Sequence, residues 1–211
     1  MFAINHAATA LIIKKTYPDV PMPALLVSVQ FIEILWVVLN FAGIEKTTTE
    51  NSMKSVSDVH LEYMPFSHSV VSTIVLAASA WILIASVFRA FDAATAIAVA
   101  ICSHLMLDLI SHARDIVIAP LLKGRRFGLG LYEKPSVAFV FETGYGVFCW
   151  WIYGGSFTLF LIIIFFNLAN ASFFFKAIPG PERFLAHRPI WITAVVAIQI
   201  FVTGVLVGLF S

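Results

Sequence analysis

The chain has 211 residues, of which 60% are hydrophobic, 14% aromatic and only 12% charged, with a mean hydropathy of +0.94. Soluble domains are about 45–50% apolar and about 25% charged, so this composition excludes an ordinary water-soluble domain and indicates an integral membrane protein. The net charge of +1 leaves no electrostatic footprint for nucleic acid.

In chain order, residues 1–13 form an apolar segment shorter than the roughly 20 residues that a bilayer span requires. It reads as a half-helix or an interfacial helix. It does not read as an ordinary signal peptide, because Lys14 and Lys15 follow the apolar stretch and His6 interrupts it. The stretch TYPDVPMP (16–23) is a breaker-rich connection. A first span covers 24–43, with Glu33 near its middle between Gln30 and Trp36. A polar loop over 44–67 carries three consecutive threonines, and the chain then reads DVHLEYMPFSHS. A second span over 68–88 and a third over 93–110 are joined by a turn so short that they must pack antiparallel. The loop over 111–135 is basic and Gly-rich, with Lys123, Arg125, Arg126 and Lys134. A fourth span, 136–153, has Glu142 in its first two turns and Trp150, Trp151 and Tyr153 at its far end, where aromatics favour the membrane–water interface. A fifth span covers 156–175 and a sixth covers 190–210, separated by IPGPERFLAHRP.

The predicted fold is therefore all-α: a polytopic membrane helix bundle of about six transmembrane helices plus a short N-terminal apolar helix. It forms one integral-membrane domain, residues 1–211, with metal-site helices in 1–153 and two scaffold helices in 154–211. Lys and Arg set its orientation. The loops after spans one, three and five hold Lys46, Lys54, Arg114, Lys123, Arg125, Arg126, Lys134, Arg183 and Arg188, with Lys176 at the edge. The other side holds Lys14, Lys15 and Arg89. The basic loops are predicted to be cytoplasmic. The two cysteines, Cys102 and Cys149, lie in apolar runs without a CxxC partner and read as packed small residues.

The chemistry gathers in SHLMLDLISH, residues 103–112. His104, Asp108 and His112 recur every four residues, which on an α-helix stacks them on nearly one face. A carboxylate inside a membrane-like helix is costly unless paired, hydrated or metal-bound. Imidazole and carboxylate are ligand types of a zinc site. The competing reading is a hydrogen-bonded polar seam between helices. His68 begins the second span on the same side, Glu142 enters the fourth from it, and Glu33 lies deepest in the first. Spans one to four can thus bring these groups together, whereas spans five and six contain no Asp, Glu or His. Each candidate has a bland alternative. Glu33 can be a protonated carboxyl bonded to a neighbouring helix. His68 can belong to a helix cap formed by Ser67. Glu142 can pair with Lys134 or Arg126, and His6 can snorkel to the interface. Asp58, His60, Glu62 and His187 read as solvated loop residues.

Taken in order, FIEILW, GIEK, YMPFSHS, SHLMLDLISH and FGLGLYEKP, with Glu142 downstream, resemble a family of bacterial integral-membrane proteins, the membrane-bound metal-dependent hydrolases with a PHS- or THS-type histidine motif. The resemblance covers roughly residues 23–153. That family is distantly similar to zinc-dependent phospholipase C and the P1-type nucleases, helical enzymes with clustered zinc ions. The resemblance implies site positions at Glu33, where the family more often has Asp, at His68, at the triplet His104, Asp108 and His112, and at Glu142. His6 matches an N-terminal histidine of many relatives, and His60 another histidine ahead of the SHS motif. A metal-dependent hydrolase of the bacterial inner membrane is the implied protein. It would use zinc or another divalent metal, one to three ions, with Glu33 or Glu142 as general base. Its partners would be the lipid bilayer and an amphiphilic substrate such as a lipid phosphoester, with Lys123, Arg125 and Arg126 near enough in sequence to attract phosphate. The alternative is a non-enzymatic membrane transporter, or a metal-binding or scaffold protein, using the same cluster.

Overall fold

The computed structural model describes residues 1–49, 53, 55–120 and 126–211. The first helix, α1 (Ala3–Thr16), is the one around which the others gather, and 10 of its 14 residues are buried. A helix buried on all sides belongs in a protein interior. Ala7, Ala8 and Ala10 are fully covered, and such small residues let neighbouring backbones approach closely. So α1 lies within the bundle, packed on α2 (Met22–Val29), α5 (Phe91–Ser111), α6 (Pro135–Tyr153), α7 (Phe157–Ala169) and α9 (Pro189–Phe210). It does not lie at the bundle's periphery, as an interfacial helix would.

The stretch expected as the first span is two helices, α2 and α3 (Phe31–Phe41), bent by 53° at Gln30. After α3, Gly43 adopts a left-handed conformation (φ +69°) that suits glycine. The Ile44 and Glu45 amides then both donate back to the Leu39 carbonyl, at 2.9 and 3.2 Å, and reverse the chain. Part of the predicted polar loop is an antiparallel hairpin, β1 (Lys46–Thr49) with β2 (Val59–Tyr63). Its signal was the β-branched run Thr47–Thr49 and the alternation Val59, Leu61, Tyr63. Helix α4 (Val70–Leu83) ends in a π-helical turn, Ile84–Phe88, and Arg89 (φ +53°) starts the reversal into α5, which packs against α4 as the short turn predicted. A four-residue helix, α8 (Glu182–Leu185), precedes α9.

The protein is mostly helical. Among the described residues, three helical stretches are long and apolar enough to cross a membrane: Val70–Phe88, Phe91–Ser111 and Pro189–Phe210. The bent α2–α3 pair makes a fourth if it counts as one span. Large apolar side chains such as Ile74, Ile82, Val140, Phe157, Phe201 and Leu209 point outward, as lipid-facing side chains do. Helix α7 is apolar but has only 13 residues.

Candidate metal centre

Local structure brings four segments together. Asp108 and His104 lie one turn apart near the end of α5, and Glu33 lies in the first turn of α3. His68 stands just before α4, whose N-cap is Ser69: its hydroxyl accepts from the Ser72 amide at 3.1 Å. Ser67 is thus not the cap and is free for another role. The chain leaving α5 doubles back, and the carbonyls of Val117 and Ile118 accept from the Val70 and Val71 amides at 3.1 and 2.9 Å. These are the orphan amides of the α4 N-terminus, so the contact fixes His68 beside α5.

Nε2 of His68 is 3.2 Å from Glu33 Oε2 and 3.4 Å from Asp108 Oδ2. Nε2 of His104 is 3.4 and 3.1 Å from the same two oxygens. All four ligand atoms lie within 4.8 Å of one another. Atoms this close together can share one metal ion.

Tautomers support the same reading. His104 Nδ1 is 2.7 Å from the Val29 carbonyl, which can only accept, so Nδ1 carries a hydrogen, and in the neutral ring Nε2 keeps a lone pair. That carbonyl is free because α2 stops at Val29; the helix break has a use at the site. Buried His104 Nε2 and Asp108 Oδ2 have no hydrogen-bond partner despite their closeness. Lone pairs converging on one point repel unless a cation or protons lie between them, and the donor set suits a divalent metal.

The other oxygen of Asp108 serves different groups. Oδ1 is 3.3 Å from His6 Nε2, 3.8 Å from His112 Nε2 and 2.7 Å from the Met1 amine. His6 does not snorkel: it is 1% exposed, and its ring stacks on that of His104 with centroids 3.8 Å apart. Neither of its nitrogens has a hydrogen-bond partner. His112 is partly open and also faces Asp115, at 3.6 Å.

Glu142 lies apart from the group of four. Its Oε2 accepts from the Phe2 amide (3.0 Å) and Asn5 Nδ2 (2.7 Å), and its Oε1 accepts from the Tyr132 hydroxyl (2.8 Å). Asn5 Nδ2 also donates to Asn167 Oδ1 at 3.1 Å. This network ties the start of α1, and so His6, to α6 and α7. Burial first, then the Glu142 carboxylate, hold the Tyr132 phenol well above its ordinary pKa, so it stays a donor. Sequence reasoning assigned no role to Asn5, Tyr132 or Asn167. It also passed over Glu45, which is 1% exposed and whose only signal was its place in GIEK. Lys123 and Arg125 lie outside the described residues, as does the side chain of His60. His187 is exposed, as expected of a solvated loop residue.

A cavity of about 540 Å³ opens beside the cluster. His6, Glu33, His68 and His112 line one side, Arg114 and Arg126 are polar neighbours, and Trp36, Ile192, Val195 and Val196 form an apolar wall. Comparison of the chain with protein-family models, curated proteins and solved structures found no match.

Proposed function

We propose that the protein is a membrane-embedded, metal-dependent hydrolase acting on an amphiphilic phosphoester, the activity that the sequence resemblance implied. The observation that carries this reading is the convergence of His68, His104, Glu33 and Asp108 on one point, with the His104 Nε2 lone pair turned inward by the Val29 carbonyl. These four would hold one divalent ion, zinc by ligand type. Asp108 Oδ1, His6 and His112 would hold a second. When bound, the metal supplies Lewis acidity: it polarises an ester oxygen and acidifies water to a pKa of about 7.

The chain's own residues do the rest. Glu33, whose side chain is 19% exposed, faces both cluster and cavity and is placed to take a proton from water. The proton that Glu33 takes from water is then available to the leaving oxygen, while His112, 20% exposed and 3.6 Å from Asp115, stands at the cavity edge of the cluster. Arg114 and Arg126 attract the anionic group, and the wall of Trp36, Val195 and Val196 receives an apolar arm. The loops around the site are the basic ones, which supports a cytoplasmic orientation in a bacterial inner membrane by the positive-inside rule. We further assign six spans, with α6 and α7 completing the set by packing as a helical pair.

The test is elemental analysis and phosphodiesterase assay of detergent-purified protein. Wild type is expected to carry zinc and to hydrolyse an amphiphilic phosphodiester, and His104→Ala to lose both. Full zinc content in His104→Ala overturns the assignment. Zinc without hydrolysis in wild type would instead make this a metal-binding membrane protein.

A further inference from the structure

Glu45 has no part in the chemistry described so far, yet its carboxylate is almost completely buried. It stands just after the Gly43 turn, before β1, and its side chain reaches the segment that leads into α4. Oε1 accepts from the backbone amides of Phe66 and Ser67 at 2.8 and 2.9 Å. Oε2 accepts from the Ser67 hydroxyl at 2.6 Å. The same hydroxyl oxygen is 2.8 Å from Nδ1 of His68. A hydroxyl has one hydrogen to give. With that hydrogen committed to Glu45, the Ser67 oxygen can only accept from His68, so Nδ1 must carry the ring hydrogen. In the neutral ring Nε2, which faces Glu33 and Asp108, is left with its lone pair. Ser67 is available for this link because Ser69 caps the helix.

We propose that Glu45 is a positioning residue for the metal centre, acting through the Ser67 hydroxyl to hold His68 in the Nδ1–H tautomer and at a fixed ring angle. The proposal rests on the metal-centre reading above. Glu45 does for His68 what the Val29 carbonyl does for His104. Partners of this kind behind a metal ligand typically account for about 10–100-fold in metal affinity.

The discriminating substitution is Glu45→Gln, which keeps the shape. The glutamine oxygen can still accept from the Phe66 and Ser67 amides, but its NH₂ now faces Ser67. The hydroxyl then turns its hydrogen toward His68, which reverses the tautomer and puts an N–H where the lone pair was. Two measurements on the full chain in detergent read this. Zinc affinity, measured by competition with a chelator, is expected to fall about 10–100-fold. Nitrogen-15 NMR of labelled imidazoles in metal-free protein, at a pH high enough for the ring to be neutral and with His68 assigned by its loss in His68→Gln, is expected to move from Nδ1–H to Nε2–H.

Ser67→Ala cuts the link itself. It should lower affinity and leave His68 without tautomer preference, and the double variant should bind no worse than Ser67→Ala alone, since Glu45 acts through that hydroxyl. A purely structural Glu45 would lower thermal stability and leave tautomer and affinity unchanged. That result, or additive losses in the double variant, overturns the proposal. If Glu45→Gln does not fold, Ser67→Ala decides: an unchanged His68 tautomer or unchanged affinity refutes the link. Absence of zinc binding in the unsubstituted protein would overturn the metal-centre reading and this proposal with it. Unchanged affinity in both variants of a zinc-binding protein would overturn this proposal alone.

Discussion

Two buried acids on different helices, Asp108 and Glu142, differ in what satisfies them. Glu142 accepts three hydrogen bonds from Phe2, Asn5 and Tyr132. Asp108 accepts from the Met1 amine at Oδ1 but leaves Oδ2 without a partner. A buried carboxylate with donors on both oxygens is a strut, and a bare buried oxygen facing imidazole nitrogens suits a cation. The shared face of His104 and Asp108 was legible in the sequence because residues four apart on a helix stack, whereas His112, expected on the same face, is the extended C-cap just past the end of α5. The difference between Glu142 and Glu33 was not legible, because both are single acids in apolar runs and only the donors around each decide its role. Glu142→Gln tests the distinction. The substituted amide is a donor where three donors already point, so at least one buried group loses its partner at a cost of about 1–3 kcal/mol. Thermal unfolding should occur at lower temperature while zinc per chain, read by elemental analysis, stays at the wild-type value. Loss of zinc would move Glu142 into the metal centre.

At the scale of elements, α1 holds the site in place, and its role was hidden by its length. A segment too short for lipid reads as peripheral, but a helix surrounded by protein need not match the bilayer. The signal that was present is its alanine content. Three features permit the close approach of α1: Ala7, Ala8, and Gly146 on the facing helix α6. A methyl group built on Gly146 would lie 2.8 Å from both Asn5 Oδ1 and Ile163 Cγ2, whereas one on Gly144 meets nothing within 4 Å. The hairpin was missed for a related reason: its strands are short and sit in a polar stretch, so composition outweighed the alternation. Gly146→Ala should therefore destabilise by about 1–3 kcal/mol through overpacking. Gly144→Ala should be neutral or stabilising, since alanine is favoured over glycine within a helix by about 0.5–1 kcal/mol. Thermal midpoints of the two variants, measured side by side, check the pair. Equal midpoints would mean that α1 and α6 have room to spare.

For the whole molecule, composition alone separated membrane from soluble protein, and the ionisable residues pointed to a site in the first 153 residues. The last two long helices looked like scaffold because they carry no Asp, Glu or His. Yet Ile192, Val195, Val196 and Gln199 of α9 line the cavity beside the cluster. A sequence read for chemistry cannot find such residues, since an apolar side chain facing a cavity and one facing lipid look alike in hydropathy. The division of labour has a consequence. If the first helices hold the ion and α9 shapes the space for the substrate's apolar arm, the two functions can be separated by substitution. Val196→Trp puts a large ring against that wall, on a helix that supplies no ligand. Zinc content should be unchanged, and so should hydrolysis of a short, soluble phosphodiester. Hydrolysis of a long-chain phosphodiester should fall at least about tenfold, which corresponds to about 1.4 kcal/mol of lost transition-state stabilisation. Measuring both substrates on one preparation checks this, because a general loss of fold would lower the two rates together, whereas a blocked cavity lowers only the second.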